Sequence, residues 1–333
     1  MLRTGLGLLL SAGAILLAVR QVDLAGTGAA MLQARPALLV PAVGLLAGAM
    51  AVRVWRWQQL LAPAGPAGRV RFRGALAATL IGYLVNTILP GRVGELVRAL
   101  LISETEGVGA GRAVGSIVVE KLLDVLTLLL FLAVAGLAGP LPDWAARGAV
   151  PVALVAVGAL LALLILGQAR GPVEAWVRRR AEVHSVVWGG RALAGFVGSG
   201  LGALDALTHP SSLLAQVALS AALWGISAAA LYTVMGAFRL PVPATAAVLV
   251  LAVTNLGMAI PSAPAYAGVY HLLAMETLKL FGVAPHAALS YALVMHALSF
   301  GSFLLGGLYF LWRGRYSLGA LWQRALHQAR DHE

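Results

Sequence analysis

The chain has 333 residues, 60% of them hydrophobic and 11% charged, with no cysteine. A soluble domain carries about 25% charged residues, so this composition excludes one and marks an integral membrane protein, while the missing cysteines exclude disulfides, thiolate chemistry and Cys-based metal sites. The formal net charge of +11 is almost wholly arginine, Lys121 and Lys279 being the two lysines, and these arginines lie between apolar runs; topology and anionic headgroups therefore account for them better than nucleic acid.

The N-terminal stretch MLRTGLGLLLSAGAILLAVRQVD sets Arg3 ahead of an apolar core, as in a signal peptide, but Arg20 and Asp23 stand where small cleavage-site residues belong. It is expected to be retained as a first span. Segments near 5–22, 37–61, 112–138, 147–168, 211–237 and 286–312 are apolar over the roughly 20 residues a crossing needs. Two further segments, 74–102 and 244–280, are apolar but interrupted by proline. As straight helices they would extend roughly 43 and 55 Å against a hydrocarbon core of about 30 Å. Each is expected to be a pair of half-helices that turns back, or a broken, tilted crossing.

Arginine placement favours the re-entrant form. With both segments turned back, Arg69, Arg71 and Arg73 (with Arg53 and Arg56 just before them), the group from Arg170 to Arg191, and the tail from Arg313 to Arg330 share the cytoplasmic side with both termini. The expected fold class is an all-α polytopic membrane protein of the bacterial cytoplasmic (inner) membrane, with about six full spans plus two broken, re-entrant helix hairpins in an inverted repeat. Repeat one covers about 1–140 and repeat two about 145–315 of a single integral membrane domain, 1–333. Pro90-x-x-x-Gly94 matches Pro264-x-x-x-Gly268 at an offset of 174, and Glu120 corresponds to His296 at nearly the same offset. The segment 169–208, rich in arginine, valine and tryptophan, reads as a cytoplasmic amphipathic helix linking the repeats, with recruitment of anionic lipid as the sharper alternative.

A half-helix beginning at Pro90 has proline where the missing N–H costs nothing. It leaves the amides of Gly91, Arg92, Val93 and Gly94 without intrahelical partners at the positive end of the helix dipole, an anion site. Arg92, Glu95 and Arg98 follow at i, i+3 and i+6, and the next helix carries Glu120, Lys121 and Asp124. Ionisable groups inside a membrane face the protein interior or a wet cavity. Glu95, Glu120 and Asp124 either balance the arginines or take up protons during a cycle; the plainer reading is a static network bracing two helices. The second break has Asn255, Pro261, Pro264, Tyr266, Gly268, Tyr270 and His271, and His271 with His296 forms either a pH-sensitive or headgroup-binding pair or two ordinary interior histidines. Glu276 and Lys279 are expected to pair. No G-x-S-x-G, phosphate-binding loop, H-E-x-x-H or aspartate-rich motif occurs, and no cofactor is implied.

The run NTILPGRVGELVRAL, followed by VVEKLLD, resembles the flippase-like membrane domain of bacterial lysylphosphatidylglycerol synthases and its stand-alone relatives. That family's second motif resembles P-x-x-P-G-x-x-G-x-x-E, where this chain reads PSAPAYAGVYH, with Ala265 in place of the glycine and His271 at the glutamate position. No part of the sequence reads as the aminoacyl-transferase domain of the full synthases. The resemblance therefore implies movement of an anionic or polar lipid between leaflets, with membrane phospholipid or another polar lipid as partner, rather than lipid lysylation. An accessory membrane subunit of a glycosyltransferase or lipid-modifying enzyme is the alternative, and a membrane-embedded enzyme using the carboxylates is weaker. The chain is read as a non-enzyme, and a homo-oligomer or a lipid-modifying enzyme is a possible protein partner.

Overall fold

The computed structural model describes residues 11–18, 20, 22–62, 70–89, 93–138, 143–183, 190–258 and 263–314, and among them every regular element is helical. The first helix, α1, covers 11–18, followed by α2 (Leu24–Leu32), α3 (Pro36–Leu61), α4 (Phe72–Ile88), α5 (Gly94–Glu106), α6 (Ala110–Ala138) and α7 (Asp143–Gln168). After these come α8 (Arg170–Val183), α9 (Gly190–Leu201), the short α10 (Asp205–Thr208), α11 (Pro210–Ala237), α12 (Ala244–Gly257), α13 (Val269–Lys279) and α14 (Pro285–Gly314). The chain is a polytopic membrane protein, as its composition requires.

Among the described residues, four helices are long and apolar enough to cross a membrane: α3, α11, α14 and the Ala146–Gln168 part of α7. Helix α6 has the length, at 29 residues, but its middle carries Glu120, Lys121 and Asp124. Both α3 and α11 open with a proline in the first turn after an extended cap residue, where the lost N–H has no intrahelical role. The two pack along their whole length and run antiparallel: the Arg35 amide donates to the Ala237 carbonyl at one end, and Gln216 reaches Gln59 at the other.

The interrupted segments are helical hairpins. At the tip of the first, Gly82 faces Gly94; at its mouth, Gly74 and Arg71 meet Glu106. Helix α5 therefore returns to the level where α4 began. A Cβ on Gly82 would lie 2.7 Å from the Gly94 carbonyl oxygen, and one on Gly94 would collide with the Gly82 carbonyl, so two glycines let the backbones touch. Gly107, at φ +69, closes α5 in the left-handed conformation. In the second hairpin Gly257 is covered by Leu273, and Leu249 and Phe281 share one cluster. With 13 and 11 residues, α5 and α13 extend about 20 and 17 Å, too short to span alone.

The helices of the two halves exchange partners. α4 packs on α14 and α12 on α6; α2 packs on α14 and α9 on α6. Substituting α11 for α3, α12 for α4, α14 for α6 and α9 for α2 maps each contact onto another, which brings the two hairpins together at the centre.

Segment 169–208 departs from the expected single surface helix. It forms the pair α8 and α9, and α9 lies directly against α6, where Gly111 and Gly115 meet the Phe196 and Gly200 carbonyls. Arg170 ties the pair down through Glu174 and Asp205, at 2.7 Å each. Small residues at matching positions on both helices drive this packing, and the arginine pattern in the sequence conceals it. His184 lies outside the described residues.

A charged cavity between the two hairpins

Glu120 and Asp124 lie one turn apart on α6 and share a face, and both are buried. The groups that meet them come from three other helices. Arg98 of α5 grips Glu120 with two parallel bonds of 3.0 and 2.7 Å, and its guanidinium lies 3.6 Å from the centre of the Trp57 ring. Arg53 of α3 donates to Asp124 at 3.1 Å and stands 3.6 Å from Glu120. Arg56, wholly buried, is 2.8 Å from Asp124 and donates to the Ser220 hydroxyl of α11 at 2.7 Å. Trp224 of α11 donates its indole N–H to Asp124 at 3.1 Å. Paired, forked and hydrogen-bonded charges of this kind are the form in which buried ions persist.

Lys121 points away from that face and meets Glu95 at 2.9 Å beside the Tyr83 ring. It edges a cavity of about 320 Å³ lined by both halves: Arg53, Asn86, Glu95, Lys121 and Asp124 from the first, and Trp224, Asn255, Tyr266 and Phe300 from the second. Arg53 and Phe303 also belong to the wall of an adjoining apolar trough of about 340 Å³, where Leu46, Met50, Leu76, Leu80 and Leu223 line the sides.

Of the residues singled out in the sequence, Asn86, Glu95, Lys121, Asp124, Asn255 and Tyr266 line the cavity, while Arg98 and Glu120 form the buried layer behind it. Pro90, Gly91 and Arg92 lie outside the described residues. The expected exposed cationic end of a half-helix is corrected in two respects. Helix α5 begins at Gly94, and that amide donates to the Asn86 side-chain oxygen at 2.8 Å. Arg98 does not open outward with Glu95 but turns inward, 1% exposed.

The second hairpin behaves alike. Pro264 opens a single turn of 3₁₀ helix; α13 starts after Gly268, whose amide donates to His271 Nδ1 at 3.3 Å. An amide buried away from water must find a partner, and in both hairpins the chain supplies its own. His271 and His296 do meet, with ring centres 4.7 Å apart. His296 Nε2 bonds the Ala265 carbonyl at 2.9 Å and stacks on the cavity residue Phe300. Ala265, at φ +54, holds the left-handed conformation that glycine favours. Glu276 and Lys279 pair at 3.0 Å, as expected.

Arg53 and Arg56 are what the sequence reading missed. Counted as flanking a basic loop, they are interior ligands of the α6 carboxylates. The signal was present: two arginines three apart inside an apolar run need carboxylates of comparable depth, and Glu120 with Asp124 is the pair available.

The sequence pattern of the family described as the lysylphosphatidylglycerol synthase TM region matches residues 5–307. The chain is also similar to glycosyltransferase AglD of Haloferax volcanii, with 25% identity over 334 aligned positions, covering 90% of this chain and 53% of that protein. It thus spans about half the length of that relative. No solved structure matches.

Proposed function

The chain belongs to the lysylphosphatidylglycerol synthase TM-region family, and from that premise we propose that it moves an anionic or polar lipid between membrane leaflets. The observation that carries this reading is the cavity shared by the two hairpins, which has Arg53 and Phe303 in common with the wall of a neighbouring apolar trough. The first suits a charged headgroup and the second its hydrocarbon. Among the described residues, Arg53, Arg56, Arg98 and Lys121 face three carboxylates, Glu95, Glu120 and Asp124. One positive charge is left in excess, which favours an anionic cargo. A site at the meeting of two interrupted helices is where transporters built from inverted repeats hold substrate, and the exchange of packing partners supports such a repeat here.

In this reading Lys121 is the headgroup contact, because it faces the cavity and, among the described residues, Glu95 alone pairs with it. The buried Arg98–Glu120 and Arg56–Asp124 pairs brace the wall. With both α6 carboxylates held by arginines, the cavity suits binding better than acid–base chemistry, so the chain acts without catalysis of its own. It resides in the bacterial cytoplasmic membrane with both termini on the cytoplasmic side.

The test is purified protein in liposomes with headgroup-labelled lipid and a membrane-impermeant quencher. Transport predicts faster loss of protected label than in empty liposomes, and Lys121→Gln should slow it about tenfold, the worth of one charge-assisted hydrogen bond. No acceleration with any lipid class would sink the reading. It would favour a membrane subunit serving a glycosyltransferase or lipid-modifying enzyme, a role the name of the Haloferax relative supports.

A further inference from the structure

We propose a second lipid site, separate from the cavity between the hairpins, that holds an anionic phospholipid at the membrane surface. It is a pocket of about 290 Å³ where α4 begins and α5 and α14 end. Its floor is apolar, made by Ile81, Leu101 and Phe310, and its rim carries Arg71, Arg73, Glu106 and Arg313. Glu106 is already satisfied: one oxygen accepts the Arg71 backbone N–H at 3.0 Å, and the Arg71 guanidinium reaches the other at 3.0 Å. Arg73 and Arg313 are exposed and have no carboxylate partner among the described residues. Among the described residues two cations thus stand uncompensated over an apolar floor, beside the positive end of α4.

The level of the pocket identifies the occupant. Phe72, Tyr309 and Trp312 are exposed around it, and aromatic side chains gather at the headgroup depth of a bilayer. Arginines at that depth between helices recognise anionic headgroups. A lipid phosphate bridging Arg73 and Arg313, with its first chain segment against Ile81, Leu101 and Phe310, satisfies both parts of the pocket. A soluble phosphate satisfies the rim alone.

Native mass spectrometry of detergent-purified protein titrated with phosphatidylglycerol, phosphatidylcholine or inorganic phosphate tests this. The wild-type chain should retain one phosphatidylglycerol more than Arg73→Gln/Arg313→Gln. Affinity at that step should fall about thirtyfold, the product of two surface arginines, with phosphatidylcholine unaffected. Ala77→Trp, which fills the pocket without altering charge, should remove the same lipid. Lys121→Gln should keep it, so failure of the transport reading leaves this site standing and the reverse also holds. Equal phosphatidylglycerol retention by the double variant, or displacement of the lipid by inorganic phosphate, would overturn the proposal.

Discussion

Replacing Glu120 by glutamine removes one buried charge with little change of shape. Glu120 is fully buried, accepts both Arg98 bonds at 3.0 and 2.7 Å, and stands 3.6 and 3.9 Å from Arg53 and Arg56. Without it, the nearest carboxylate to Arg98 is Glu95 at 3.9 Å. Breaking a buried pair from one side costs about 3–5 kcal/mol, because the remaining ion stays desolvated. For a chain of this size that lowers the melting temperature by roughly 4–7 °C. The assay is thermal unfolding in detergent followed by size-exclusion chromatography. Arg98→Met/Glu120→Gln removes both partners and leaves an apolar side chain over Trp57. Its loss should fall short of the summed single losses by at least about 2 kcal/mol. A Glu120→Gln protein melting within a degree or two of wild type, or strictly additive losses, would refute the account of the network as a unit of mutually neutralising charges.

Ala265→Gly should raise stability by about 1 kcal/mol, since Ala265 holds a positive φ that costs an L-residue that much; an unchanged or lower melting temperature counts against a strained turn. Gly94→Ala should disrupt the first hairpin by driving a methyl into the Gly82 carbonyl and the Asn86 amide, whereas Gly148→Ala, with open space around it, should melt like wild type. Equal melting of the two would remove the close-approach argument. The cysteine-free chain permits a sided test. Cysteines at Ala110 and Gly314 should be labelled from the same face, because α5 folds back along α4 to the level where α14 ends. Labelling from opposite faces would contradict that hairpin geometry.

Much was legible in the sequence, because hydrocarbon imposes blunt rules. A 60% hydrophobic, 11% charged chain cannot be soluble. Apolar runs too long for one crossing and broken by proline had to turn back or cross broken and tilted, and the arginine placement favoured turning back. Carboxylates four apart in a span had to face arginines or a wet interior. The family followed from the motif at Asn86–Arg98, and the sequence match over 5–307 agrees.

Which charges pair was not legible. Glu120 takes its principal partner from α5, 22 residues away, while Asp124 draws on α3 and on Trp224, 100 residues on. Sequence spacing reports neighbours on one helix, and these partners meet only because α3, α5, α6 and α11 converge. For the same reason Arg53 and Arg56 read in sequence as flanking a basic loop, although α3 turns Arg56 into the protein. The helix starts failed similarly. Proline marks where a helix can begin, but the observed starts at Gly94 and Val269 have their leading amides covered by Asn86 and His271. The sequence by itself determined the class, the breaks and the charges that needed partners. Only the tertiary structure decided the pairings, because in a low-dielectric interior each buried ion is held by whichever opposite charge the packing brings within a few ångströms.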